Sequence, residues 1–217
     1  MIFISTALLL YVLHQNWITL ALAAIIVVTL KESTKAYVSA HLGDPLPKRD
    51  KRITLNPRKH IEPVGLIFML IFGIGWGKPV MTTSLYYKNT KKDIILTNVS
   101  ASLVLFLVGV FLIKLTELFS LLFSVGFIEF FLLQTAILSI NLSIVNVILP
   151  VSPYDARALL NVFLRPDQQV IMASREKIMQ ILMIVLLIWP NSPIIGFIFG
   201  ITATVIRTTL RIMGLFL

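Results

Sequence analysis

Lys31, Glu32 and Lys35 carry the chemistry that the first part of this chain offers, in a run that is otherwise apolar from Trp17 to Leu30. On a helix the two lysines, four apart, project from one face, and Glu32 lies about a third of a turn away. A carboxylate so placed can act as a general base; a lysine can do so only if its pKa falls towards 7. Charges at that depth in an apolar helix cost roughly 2.5–3.5 kcal/mol each on the insertion scale, so they mark a site or face a polar interior. Asp155, in Pro150-Val151-Ser152-Pro153-Tyr154-Asp155, is the other acid of interest. His14, His41 and His60 are the only histidines and read as interfacial, with a relocated metal site as the alternative. No cysteine is present, which excludes thiolate ligands, thiol nucleophiles and disulfides.

Those residues must be positioned in a membrane. The 217 residues are 57% hydrophobic and only 13% charged, and the mean hydropathy is +0.91, far outside the soluble range. The net charge of +9 is gathered in a few loops. It reads as a positive-inside signal that also attracts anionic lipid headgroups, and not as a nucleic-acid footprint. Met1-Ile2-Phe3-Ile4 lacks the basic start of a cleavable leader, so the first apolar segment is expected to stay as an anchor.

In order, Ile2–Leu13 is too short to span and predicts a short helix or half of a hairpin. A helix is predicted from Trp17 to about Ala40, stopped by Gly43, Pro45 and Pro47. The basic loop of Lys48–Glu62 is expected in the cytoplasm, and the alternation in Arg52-Ile53-Thr54-Leu55 predicts a small interfacial β-hairpin. Val64–Trp76, short and glycine-rich, predicts a re-entrant segment or a short broken span. Ile94–Ile113 is a span, and Leu118–Leu149 is either one long tilted helix or two short ones. Pro150–Lys177 reads as cytoplasmic, with Ile178–Trp189 and Ile194–Ile206 as a final helical hairpin. The fold class is therefore an all-α polytopic membrane protein of about five or six membrane segments, in one domain over residues 1–217.

Several motifs carry a family resemblance. Gly43-Asp44-Pro45, then Arg52-Ile53-Thr54-Leu55-Asn56-Pro57, then His60-Ile61-Glu62-Pro63 and Gly65 resemble the run that follows the zinc helix of bacterial site-2 proteases. Gly75-Trp76-Gly77-Lys78-Pro79-Val80 and Pro150–Asp155 resemble two further motifs of that family, at its spacing. The resemblance implies an intramembrane zinc metalloprotease scaffold in the bacterial cytoplasmic membrane. It aligns Glu32 with the general base, Asp155 with the third zinc ligand, and Lys31 and Lys35 with the two zinc histidines of His-Glu-x-x-His. The family's Ala-Gly-Pro-x-x-Asn is also changed, to Thr97-Asn98-Val99-Ser100-Ala101-Ser102, and the glycine after the aspartate is Ala156.

Such a protease needs zinc to acidify a water and polarise the scissile carbonyl. Lysine must lose its proton before it can ligate, and neighbouring carboxylates oppose that loss. Zinc is therefore expected in the family and absent here, with no cofactor in its place. Two ammoniums can offset the two carboxylates that the divalent ion would have balanced, so Lys31, Lys35 and Asp155 are expected to form a charge cluster at the former metal position, with Glu32 a vestigial base. Snorkelling of both lysines to an interface is the plainer alternative. The function expected is that of a catalytically inactive homologue, a pseudoprotease that holds or regulates a membrane partner through a transmembrane or extended peptide segment. An active peptidase with altered metal or lysine chemistry is one alternative, and a transport or proton-relay role is the other.

Overall fold

The computed structural model describes Leu13 and residues 16–122, 126–190 and 192–212. Among these residues nine α-helices form, and no strand does. Helix α1 (Trp17–His41) begins where the Asn16 side chain accepts from the Ile18 and Thr19 amides at 3.0 and 3.2 Å, satisfying two donors that the first turn leaves open. It ends at Leu42 and Gly43, whose amides return to the Val38 and Ala40 carbonyls. A single turn, α2 (Leu46–Arg49), opens the basic loop. Helix α3 (Pro63–Phe72) starts on a proline, takes its cap from the Glu62 carboxylate on Gly65 N at 2.6 Å, and stops at left-handed Gly73.

From Gly73 to Thr83 the chain runs without regular structure across the core, and α4 (Thr90–Leu122) and α5 (Gly126–Ile148) follow. Then come α6 (Ala156–Asn161), α7 (Pro166–Ser174), α8 (Glu176–Ile188) and α9 (Pro193–Ile212). Helices α1, α4 and α5 pack on one another. Ala23, Ala24, Ala101 and Ala136, all fully buried, allow their backbones to approach closely, which is the main source of attraction between helices in lipid. Leu20, Leu105, Ile137 and Ile140 fill the space between. Leu103, Leu107 and Phe111, each four residues from the next on α4, face outward as a lipid stripe.

Asn141 on α5 joins three parts of the fold. Its amide donates to the Gly73 carbonyl at 3.0 Å, and its oxygen accepts the Thr202 hydroxyl of α9 at 2.6 Å. Asn146, further along α5, is buried with neither amide atom paired.

Among the described residues four helices, α1, α4, α5 and α9, are long and apolar enough to cross a membrane. Helices α3 and α8, of 10 and 13 residues, are shorter than a span. The expected first segment lies outside the described residues except for Leu13, which is buried in the core. Residues 118–149 divide between the end of α4 and the whole of α5, so neither expected form of that stretch describes it. Arg52–Leu55 forms no hairpin. Its alternation serves another purpose: Arg52 is buried and bonded inward, while Ile53 and Leu55 face out. The loop Pro150–Lys177 is largely helical, in α6 and α7.

A buried ammonium and carboxylate cluster as the candidate functional site

Helix α1 supplies three of the four charges. Lys31, Glu32 and Lys35 are buried on its inner side, where the α1 backbone is rigid and one turn separates the two lysines. The fourth charge comes from 120 residues further on. After α5 the chain turns tightly, with Val151 N on Leu149 O at 2.8 Å and Tyr154 N on Val151 O at 3.0 Å, and this delivers Asp155 at the start of α6. Buried Tyr154 meets the edge of Trp76 with ring centroids 6.2 Å apart, which fixes the turn against the 73–83 segment.

The four side chains converge. Lys35 Nζ donates to Asp155 Oδ1 at 2.5 Å, Lys31 Nζ stands 3.1 Å from Asp155 Oδ2, and Lys31 Nζ donates to Glu32 Oε1 at 2.8 Å. All are almost wholly shielded from solvent. Burial alone would push the Asp155 carboxyl up; the Lys31 and Lys35 ammoniums outweigh it and hold that carboxyl below the ordinary range. Charge is matched by charge without any ion, and each carboxylate keeps hydrogen-bond donors.

Glu32 is held from its other side as well. Its Oε2 accepts the Val80 amide at 3.0 Å. The 77–80 segment is fastened there by Arg52, which donates to the Lys78 carbonyl at 2.5 Å and the Pro79 carbonyl at 3.4 Å, and by Lys78 N on the His60 carbonyl at 2.8 Å. Gly77 is required for this approach, because a β-carbon there would stand 2.5 Å from Val28 and 2.9 Å from the His60 carbonyl. Gly75 is just as constrained, lying against the Gly65 carbonyl. Arg52 and the Val80 amide were not singled out by sequence reasoning as parts of the site. The signal available was the conjunction of an arginine with the glycine-rich run after α3.

Zinc is the ion that the resemblance implies, and the donor set does not fit it. Asp155 offers a carboxylate, but an ammonium has no lone pair, and those of Lys31 and Lys35 are already spent on carboxylate partners. Elsewhere, His41 stacks on Tyr37 and His60 is buried with Nε2 2.7 Å from the Thr54 carbonyl. Burial and the nearby Arg52 push the His60 imidazole below its ordinary pKa. His14 lies outside the described residues. Among the described residues, no three histidine, aspartate or glutamate side chains gather as a metal site.

A cavity of about 650 Å³ opens over Lys35 and Asp155, walled by Pro79, Tyr154 and Arg157. A second, of about 830 Å³, is bordered by α4 and shares Ala158, Asn161, Pro166 and Gln169 with the first. Asn98 lines it, buried, with its amide donating to the Ile94 carbonyl and its Oδ1 unpaired. Through those shared residues they make a groove of mixed polar and apolar lining between the start of α4 and the charge cluster.

No protein-family model and no solved structure matches the chain. Among curated proteins it is similar to "Putative zinc metalloprotease YwhC" of Bacillus subtilis (strain 168), with 29% identity over 178 residues, covering 79% of this chain and 80% of that one. The similarity is thus to a protein named as a metalloprotease and extends along most of both chains.

Proposed function

We propose that the protein is a catalytically inactive homologue of the site-2 intramembrane zinc metalloproteases, a pseudoprotease that holds a membrane partner without cutting it. One observation carries this reading: the two lysines that the resemblance aligns with zinc-binding histidines have their ammoniums 2.5 and 3.1 Å from the two oxygens of Asp155. Hydrolysis in that family needs an activated water. Glu32, the residue left to act as base, has one oxygen on the Lys31 ammonium and the other on the Val80 amide. Both oxygens of that carboxylate therefore serve as acceptors for the protein's own donors.

The groove beside Asp155 supports the retained half of the function. It is mixed polar and apolar, reaches the cluster at Lys35 and Asp155, and is lined further along by Asn98, whose buried amide oxygen has no partner. A transmembrane segment of a partner that unwinds locally exposes backbone amides. The positive charge of the basic loops supports a reading in which the groove faces the cytoplasmic side of a bacterial membrane.

Metal analysis and a cleavage assay on the purified chain test the reading together. Substoichiometric zinc is expected after dialysis against the ion, as is no cleavage of a membrane-embedded peptide by either the parent or Glu32→Gln. Tightly held stoichiometric zinc, or cleavage that Glu32→Gln abolishes, overturns it.

A further inference from the structure

Three lysines of the basic loop surround a cavity that the charge cluster does not use. Lys48, Lys51 and Lys59 line a hollow of about 360 Å³, floored by Ile53, Thr54 and Asn56. No acid lines it, and none of the three lysines makes an ion pair among the described residues. Asp50, the acid nearest in sequence, is engaged by Arg49 at 3.0 Å. Lys51 adopts φ 51, the only positive φ of a non-glycine residue among those described. A β-carbon disfavours that conformation and glycine would relieve it, yet the position holds a cation whose side chain borders the cavity.

An apolar cavity lies on the same pair of loop residues. Ile53 and Thr54 also line a second cavity of about 370 Å³, whose far wall is Leu30, Ser33, Thr34 and Tyr37 of the membrane helix α1 and whose rim is Leu55. Tyr37 and Leu55 are 62% and 71% exposed, large apolar side chains left mostly open. Cations at the mouth and an apolar channel descending along a membrane helix match the two ends of one kind of molecule.

We propose that Lys48, Lys51 and Lys59, with the groove beside α1, form a binding site for a single anionic phospholipid. The headgroup phosphate sits among the three ammoniums, and one acyl chain lies along Leu30, Tyr37 and Leu55. Charge complementarity selects the occupant: the hollow has net charge +3 from its lysines and nothing to balance it. A free phosphate would satisfy the lysines but leave the Tyr37 and Leu55 surfaces bare. The site is separate from the charge cluster and does not depend on whether the protein cleaves peptides.

The full chain in neutral detergent is titrated with short-chain phosphatidylglycerol, short-chain phosphatidylcholine and inorganic phosphate, with bound lipid counted by native mass spectrometry. One phosphatidylglycerol per chain is expected, bound well ahead of the other two probes. Lysines near such a headgroup contribute roughly five-fold each in affinity, so Lys48→Gln/Lys51→Gln/Lys59→Gln is expected to weaken binding about a hundred-fold. Lys88→Gln/Lys91→Gln/Lys92→Gln, which removes the same charge elsewhere, is expected to leave it within about two-fold. Should the first triple variant not fold, Lys48→Gln/Lys59→Gln leaves the strained position alone and is expected to lose about 25-fold. Equal binding of the two lipids, equal losses in the two triple variants, or phosphate binding as tightly as phosphatidylglycerol would each overturn the proposal.

Discussion

The Lys35 ammonium lies 2.5 Å from Asp155 Oδ1, joining the first long membrane helix to a turn 120 residues later in the chain. Lys31 completes a bridge to the other oxygen of the same carboxylate at 3.1 Å. Asp155 is thus a knot between α1 and α6, and its removal leaves two buried ammoniums facing each other with only Glu32 for company. Loss of one partner from a buried pair costs about 3–5 kcal/mol. Asp155→Ala is expected to fall in that range in detergent unfolding. The combination Lys31→Met/Glu32→Gln/Lys35→Met/Asp155→Leu, which removes all four charges, is expected to regain most of the loss. A melting curve of Asp155→Ala superimposable on that of the parent would show that the cluster contributes nothing to the fold.

The same pair sets a pH dependence. The ammoniums hold the Asp155 carboxyl below its ordinary pKa, so the unfolded chain takes up its proton before the folded chain does. Its contribution to stability is complete above the unfolded value of about 3.9 and is lost as pH falls through the lower folded value. Thermal melts between pH 7 and pH 2.5 should show a fall in Tm that sets in below about pH 4. In Asp155→Asn this acid limb should flatten, from a lower starting Tm. An acid limb of unchanged depth in Asp155→Asn would assign the effect to other carboxylates.

Much of this site was legible in the residues because it is built from charges in apolar surroundings, where each one has to be answered. Lys31, Glu32 and Lys35 stand out on α1 for that reason, and Asp155 stands out through its motif. What could not be read was the backbone. The Val80 amide that binds Glu32 leaves no mark in side-chain type, and the alternation of Arg52–Leu55 has the period of a strand although it comes from one buried arginine between outward residues. The division of residues 118–149 escaped as well, since an apolar run in lipid carries no polar face to mark where one helix ends.

Restoring the two side chains that a metal site lacks is a direct test of the scaffold. In Lys31→His/Lys35→His, two imidazoles one helical turn apart would face the Asp155 carboxylate, a donor set of the catalytic zinc type with one position open. This double variant is expected to bind zinc near one equivalent, measured by metal analysis after exhaustive dialysis, and to release it on adding Asp155→Ala. Retention of zinc in the triple variant would mean that the ion binds elsewhere. Activity is a separate question, because the Val80 amide would still occupy one oxygen of Glu32.

Arg52 supplies the last test, since it acts on Glu32 through the segment it fastens. Its guanidinium bonds to the Lys78 and Pro79 carbonyls, and the next amide, that of Val80, donates to Glu32. Hydrogen bonds from a charged donor are worth roughly 1.5–3 kcal/mol. Arg52→Met keeps much of the apolar stem and removes both bonds, so residues 77–80 should open locally while α1, α4 and α5 stay packed. Hydrogen exchange is expected to speed up by about 10- to 100-fold at the Val80 amide. It should remain unchanged at amides in the middle of α5, such as that of Ile140, whose residue is fully buried in the core. Protection at Val80 equal to that of the parent would show that the segment is held by Gly75, Gly77 and their close packing alone. A parallel loss at Ile140 would show that Arg52 supports the whole fold and has no special role in positioning Glu32.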